Sequence, residues 1–145
     1  MSKILTCINQ VSNIFKEPNK KSEVVSQILY GEQFSVRKSI GIFYKGFSIF
    51  DNYPGFVLKK NFEKITAKND YRVRTKETSL YQSNISFKKT NKKLLFNSKV
   101  SVLKRDNNFS KINKFWIKND SINKIENKTN NFLDNISYFI KTKYL

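Results

Sequence analysis

The sequence contains one segment twice. The stretch ILYGEQFSV at residues 28–36 recurs as LLFNSKVSV at residues 94–102, 66 residues further along the chain. A later stretch, GFVLKKNF at residues 55–62, recurs as FWIKNDSI at residues 115–122, now only 60 residues further along, so the second copy has lost six residues in between. Because an internal repeat sets the architecture before any single residue does, the sequence predicts two copies of one small structural unit.

Each copy shows the pattern of several short strands. Residues 4–15 have the mixed alternation of an opening strand, and a bend at Gly31 divides the next β-rich segment into two strands. The sequence DNYPG at residues 51–55 is a strong turn signal, and the segment after it predicts a short closing strand with a single helical turn. We therefore predict an all-β chain with two small barrels in tandem, at residues 1–65 and 66–125.

The C-terminal segment, residues 126–145, departs from this pattern. Its apolar side chains recur at helical spacing, at Phe132, Leu133, Ile136, Phe139 and Ile140. Such a stripe is typical of an amphipathic helix, and Asn130 or Asn131 can cap its start. We expect the apolar face to pack either on one of the barrels or in a further domain that would follow.

The net charge of +17 favours anionic partners, but the ratio of arginine to lysine weakens that interpretation. Of the 28 basic residues only four are arginine, the side chain best suited to bidentate phosphate and base recognition. A joint excess of Lys, Asn and Ile is what drift in an A+T-rich genome produces. The residues that carry the charge therefore favour a solvated basic surface over a surface that binds nucleic acid.

The sequence offers no set of residues for nucleophilic catalysis or metal binding. It has one cysteine, Cys7, and no histidine, whereas a Cys-His peptidase needs an imidazole beside its thiolate. Cys7 falls in the first predicted strand, where we expect a small buried apolar residue. We expect no cofactor, no metal and no catalysis by this chain. Without an apolar run suited to a signal peptide or a membrane span, we also expect a cytoplasmic, soluble chain.

Residues 17–36, EPNKKSEVVSQILYGEQFSV, followed by an aromatic-rich strand and DNYPGFV, resemble a known family. They are similar to the first bacterial SH3 domain of NlpC/P60-family cysteine peptidases of the dipeptidyl-peptidase VI type, which cleave cell-wall peptides. The second copy, with TSLY, LLFNSKVSV and FWI, resembles the second SH3 domain of those proteins. The resemblance implies that both barrels are SH3-like.

The C-terminal segment is similar to the helix and Thr-Pro-Tyr-Leu sequence that lead into the catalytic domain of that family. Lys143 stands where the family pattern has proline. This resemblance implies a junction to a catalytic domain that this sequence does not contain, either because the chain is part of a larger peptidase or because the gene lost its enzyme.

Three residues of the first copy are candidates for ligand binding. The resemblance implies that Tyr53, at the tip of the DNYPG turn, approaches the catalytic cleft and touches the substrate peptide. Glu32, directly after Gly31, offers a carboxylate to the ammonium group of a short cell-wall peptide, and Asp51 offers the same chemistry closer to Tyr53. The alternatives are a tyrosine packed on its own turn and two solvated turn carboxylates.

These observations predict a noncatalytic region that binds or positions cell-wall peptide for an NlpC/P60 catalytic domain, in cis or in trans. A different hypothesis is a basic small-barrel protein that binds nucleic acid through aromatic and cationic side chains. A third is a protein-interaction module that docks a partner through its helix. In the repeat, Trp116 corresponds to Phe56, which favours a role for Trp116 in core packing.

Overall fold

The computed structural model of the protein describes residues 3–65, 68–85 and 88–125. Over these residues the regular structure consists of β-strands and two short 3-10 turns, which confirms the predicted all-β class. The chain divides into two compact units, Met1–Ala67 and Lys68–Leu145. The predicted C-terminal helix lies outside the described residues.

The first unit is a single sheet of seven strands. In chain order they are β1 (Lys3–Cys7), β2 (Val11–Phe15), β3 (Val24–Leu29), β4 (Gln33–Ile40), β5 (Phe43–Ser48), β6 (Pro54–Leu58) and β7 (Phe62–Glu63), with a 3-10 turn at Lys59–Asn61 before β7. Their order across the sheet is β3-β2-β6-β5-β4-β1-β7, and every pairing is antiparallel.

The first sheet curls around one apolar core. Ile28 on β3, at one edge of the sheet, belongs to the same buried cluster as Phe62 on β7, at the other edge. Phe34, Val57 and Cys7 from the intervening strands complete the centre of this cluster. Because side chains from both edges share one core, the sheet has to close on itself into a barrel-like unit.

The second unit forms two sheets. Its strands are β8 (Tyr71–Val73), β9 (Glu77–Tyr81), β10 (Lys89–Leu95), β11 (Lys99–Val100), β12 (Lys104–Arg105), β13 (Phe109–Ile112), β14 (Phe115–Lys118) and β15 (Ile122–Lys124), with a 3-10 turn at Asn119–Ser121. One sheet has the order β10-β9-β14-β13-β12 and the other the order β11-β8-β15.

Backbone hydrogen bonds confirm the repeat. The Gly31 N–H donates to the Cys7 carbonyl at 2.8 Å, and the Asn97 N–H donates to the Val73 carbonyl at 3.0 Å. In the second bond, both the donor and the acceptor lie 66 residues further along the chain. The later offset of 60 also holds, because the two 3-10 turns begin at Lys59 and Asn119. The two units therefore share one backbone frame.

The predicted bend at Gly31 is a tight turn in both units. In the first unit the Glu32 N–H donates to the Leu29 carbonyl at 3.0 Å, and Gly31 has a φ of 85°. Asn97 takes the corresponding position of the second unit with a φ of 73°. A positive φ at the third residue of a turn favours glycine, and asparagine is among the few other residues that tolerate it.

Residues 4–15 are two strands, so the prediction of one opening strand is wrong. β1 ends at Cys7 and β2 begins at Val11, with Asn9 between them. The Asn9 side-chain amide donates to the Val11 carbonyl at 2.9 Å, and such a local side-chain bond favours a turn over a continuous strand. Among the described residues, no helix is long and apolar enough to span a membrane.

Candidate functional site

The two units differ most between the strands that correspond to β5 and β6. In the first unit the ladder extends to the pair Phe47 and Pro54, and residues 49–53 form a loop beyond it. In the second unit the ladder ends at Ile112 and Phe115, which only Asn113 and Lys114 connect. The six residues missing from the second copy therefore include this loop, which carries Asp51 and Tyr53.

The β5–β6 loop, residues 49–53, is closed by hydrogen bonds at its base. The Ser48 N–H donates to the Tyr53 carbonyl at 2.9 Å, and the Ile49 N–H donates to the Gln33 carbonyl at 3.0 Å. The first bond joins the two ends of the loop, and the second attaches it to the start of β4. The loop thus has a fixed base on the sheet.

Asp51 organises the interior of the loop. Its Oδ1 atom accepts a hydrogen bond from the Ser48 hydroxyl, and the Tyr53 N–H donates to the same Oδ1 at 3.3 Å. Between these two residues, Asn52 has a φ of 57°, a left-handed conformation that asparagine tolerates. The Asp51 carboxylate therefore acts on the backbone that carries Tyr53, and the structure brings these two predicted residues together.

The loop exposes three large side chains. Tyr53 is 39% exposed, Ile49 is 40% exposed and Phe50 is 57% exposed. The sequence did not mark Ile49 and Phe50 as surface residues, because their apolar character is equally typical of a strand, whereas β5 ends at Ser48. A group of exposed apolar side chains on one loop is typical of a contact surface.

Glu32 lies at the same end of the β4–β5 pair as the loop. It directly precedes Gln33, whose carbonyl accepts the hydrogen bond from Ile49. Its carboxylate Oε1 accepts a hydrogen bond from the Leu29 N–H at 2.8 Å, so the side chain closes the turn that contains Gly31. The half-buried carboxylate is thereby held in one orientation near the base of the loop.

The second unit has neither part of this arrangement. Ser98 replaces Glu32, is fully buried, and its hydroxyl has no hydrogen-bond partner. The two-residue connection at Asn113 leaves no room for counterparts of Asp51 and Tyr53. The three predicted site residues thus mark a feature of the first unit alone.

Cys7 is buried in the core of the first unit, as predicted. Burial is the main cause that raises the pKa of its thiol from 9.0 to about 12, and the nearby Glu32 carboxylate adds to this effect. A thiol with such a pKa is protonated at neutral pH and is a poor nucleophile. Among the described residues, no group of three His, Cys, Asp or Glu side chains could hold a metal ion.

The curled antiparallel sheet and its short strands form a small barrel in the first unit. Residues 14–62 match the family of bacterial dipeptidyl-peptidase SH3 domains, so this part of the first unit is similar to a bacterial SH3 domain. The match runs from the end of β2 to the start of β7 and includes Glu32, Asp51 and Tyr53. None of the curated proteins matches the chain.

A solved crystal structure has a similar fold. It is that of an NlpC/P60 family protein from Bacillus cereus ATCC 10987, with 12% sequence identity and a TM-score of 0.66. The match covers 86% of this chain and 57% of the other protein, so this chain spans little more than half the length of that relative. At this identity the likeness concerns the fold.

Proposed function

We propose that the chain is a noncatalytic SH3 region of a cell-wall peptide hydrolase and that the β5–β6 loop contacts the peptide. The observation that carries this proposal is the exposed Tyr53, whose backbone is held by Asp51, inside a domain that matches the dipeptidyl-peptidase SH3 family. In this function the first unit binds the ligand, and the second unit contributes its repeated frame.

The chemistry of the loop suits a short peptide with a free ammonium group. The Tyr53 ring offers contact area at low entropic cost, and its hydroxyl can donate or accept a hydrogen bond. Glu32 lies at the same end of β4 and β5, and a carboxylate forms a strong charge-assisted bond with an ammonium group. The Leu29 N–H already holds the Glu32 carboxylate, and the Asp51 carboxylate holds the Tyr53 backbone, so binding would order few additional backbone torsions.

Catalysis would come from an NlpC/P60-type domain, in cis or in trans. This chain has no histidine to serve as the base of a Cys-His pair, and its one cysteine is buried as a thiol. The solved relative is an NlpC/P60 family protein of which this chain spans 57%, which leaves length for a further domain in that relative. The proposed contribution of this chain is therefore to position the peptide.

A titration with cell-wall dipeptides and tripeptides, followed by amide chemical shifts, tests this function. We expect the largest shifts at Glu32 and at residues 49–53. The Tyr53→Ala variant should weaken binding by about 5- to 30-fold, which corresponds to about 1–2 kcal/mol. Shifts spread evenly over both units, or none at all, would contradict the proposal.

Two further variants make the test specific. Replacing residues 47–54 by Asn-Lys copies the connection that the second unit uses, and we expect it to abolish peptide binding while the first unit remains folded. Tyr44→Phe is the matched control, because Tyr44 lies near the opposite end of β5. Its ring centre is 5.2 Å from the Lys3 ammonium and 5.3 Å from the Lys59 ammonium. This variant should bind peptide like the unmodified chain.

A further inference from the structure

A row of cationic and aromatic side chains crosses the five-stranded sheet of the second unit. The strand register pairs Lys104 with Lys111, Lys111 with Trp116, Trp116 with Tyr81, and Tyr81 with Lys89. Residues directly opposite each other in antiparallel strands project on the same face. These five residues, the Lys-Trp row, therefore share one face and span roughly 19 Å, at about 4.8 Å per strand.

Trp116 is the more accessible of the two aromatic rings in this row. It is half-buried, so part of its indole ring is accessible. Tyr81 is only 3% exposed, because its ring packs against Phe109 at 5.1 Å and carries the Lys118 ammonium 5.9 Å from its centre. Tyr81 thus supports its neighbours, and Lys118 adds a fourth cation to the face.

Ion pairs do not neutralise these cations. Over residues 3–65, 68–85 and 88–125, none of the four lysines Lys89, Lys104, Lys111 and Lys118 forms an ion pair. The Asp106 carboxylate, in the turn before β13, accepts hydrogen bonds from the Asn84 amide and from the Asn108 and Phe109 N–H groups. These bonds, and to a smaller extent the nearby charge of Lys104, lower the pKa of Asp106. Like charges directly opposite each other, as at Lys104 and Lys111, are destabilising unless an anion screens them.

The corresponding row of the first unit is less charged and more apolar. There the register runs from Lys38 through Lys45, Phe56 and Phe15 to Val24. It keeps the pair of lysines, but two phenylalanines replace Trp116 and Tyr81, and a valine stands where the second unit has Lys89. In the repeat, Leu58 corresponds to Lys118. The same frame thus carries four cations and an indole in one unit only.

We propose that the Lys-Trp row binds single-stranded nucleic acid without sequence preference. The lysines would contact successive phosphates, and Trp116 would stack on one base, which is the general way in which such strands bind to aromatic and cationic surfaces. A duplex is the poorer ligand, because its base faces are stacked inside the helix and closed to a ring on a sheet. Total charge alone did not favour this partner, but the arrangement of these lysines around a partly exposed indole does.

The intrinsic fluorescence of the full chain tests this inference, because Trp116 is its only tryptophan. Addition of an oligothymidylate should quench this fluorescence, and the logarithm of the affinity should fall with the logarithm of the salt concentration with a slope of roughly −3, at about −0.7 for each of four contacts. Trp116→Phe, which copies Phe56 of the first unit, should weaken binding of a labelled oligonucleotide at least about fivefold.

Matched charge variants locate the site. Lys104→Gln with Lys111→Gln should reduce the salt slope by about 1.4, whereas Lys38→Gln with Lys45→Gln in the first unit should leave it unchanged. An equal loss in both double variants would overturn the proposal, as would binding without a change in tryptophan fluorescence. Equally tight binding of inorganic polyphosphate with the same quenching would also overturn it, because the surface would then recognise charge alone.

Discussion

The two units of this chain share a backbone and differ in surface chemistry. The turns at Gly31 and Asn97 make the same hydrogen bonds to β1 and β8, and the two 3-10 turns occupy corresponding positions. The first unit then adds the β5–β6 loop with Tyr53, and the second presents the Lys-Trp row. Backbone bonds and buried side chains therefore define the repeated frame, while loop length and outward-facing side chains distinguish the surfaces of the two units.

A buried polar contact belongs to this shared frame, although its residues differ. In the first unit the Asn61 side-chain amide donates to the Ser12 hydroxyl at 3.1 Å. In the second unit the Thr78 hydroxyl donates to the Ser121 hydroxyl at 2.9 Å. Both pairs join the second strand of the unit to its 3-10 turn. The position of the contact was kept through the divergence of the copies, but the chemical groups changed.

The largest effect that would distinguish the units is expected at Gly46. A Cβ atom there would overlap the carbonyl oxygen of Ser35 and come within 2.9 Å of the Phe34 ring, so Gly46→Ala should destabilise the first unit by more than about 3 kcal/mol. Gly41→Ala is the control: its φ is 58° but its Cβ meets nothing within 4 Å, so it should cost only about 1 kcal/mol. Urea unfolding measures both, and equal costs would show that β4 and β5 are not this close.

The buried polar contact should matter about equally in the two units. Ser12→Ala leaves the Asn61 amide without this acceptor, and Thr78→Val leaves the Ser121 hydroxyl without this donor, so each should cost about 1–3 kcal/mol. Each change should lower the thermal stability of its own unit, which amide spectra recorded on heating can follow. If only one of the two variants is destabilised, the contact is not part of the shared frame.

Alkaline pH should change the stability effect of replacing Cys7 but not the effect of replacing its counterpart, Val73. The folded-state pKa of Cys7 is raised to about 12 from 9.0, so the folded chain retains a proton that the unfolded chain releases. The contribution of Cys7 to stability is therefore complete below pH 9.0 and falls above it by about 1.4 kcal/mol per pH unit. The difference in stability between the unmodified chain and Cys7→Ala should shrink accordingly, whereas the effect of Val73→Ala should stay constant with pH.

The smallest effect is expected at Ser98. Its buried hydroxyl has no partner, so Ser98→Ala should change stability by less than about 0.5 kcal/mol. Glu32→Ala removes the carboxylate that accepts the Leu29 N–H and should cost about 1–2 kcal/mol in the first unit. Chemical denaturation of the two variants gives this comparison directly. A large loss at Ser98 would mean that its hydroxyl makes a contact equivalent to that of Glu32.

The sequence predicted the repeated frame well because the frame depends on patterns that survive in one chain. Apolar alternation, the turn at Gly31 and the two offsets together indicated the class, the bend and the closing 3-10 turn. They did not reveal the turn at Asn9, because no glycine or proline marks it. The offsets showed that six residues were lost, but the strand register was needed to place the loss at the β5–β6 loop.

The candidate site was only partly accessible from sequence. Short spacing was enough to group Asp51 with Tyr53, but it could not show that the Asp51 carboxylate bonds to the backbone of the loop. The repeat correctly matched Trp116 to Phe56, yet both are half-buried, and the core residue of β14 is the adjacent Ile117. Strand alternation gives two faces, and only the register of neighbouring strands determines which of them faces inward.

The buried Cys7 and the single tryptophan, Trp116, can each report the unfolding of one unit. The single thiol lies in the first unit, where reagents reach it only when that unit opens, and the single tryptophan lies in the second. Thiol trapping and fluorescence would thus record the opening of each unit in the same unlabelled sample. Coincident transitions would indicate that the units unfold cooperatively, and separate transitions would give each copy its own stability.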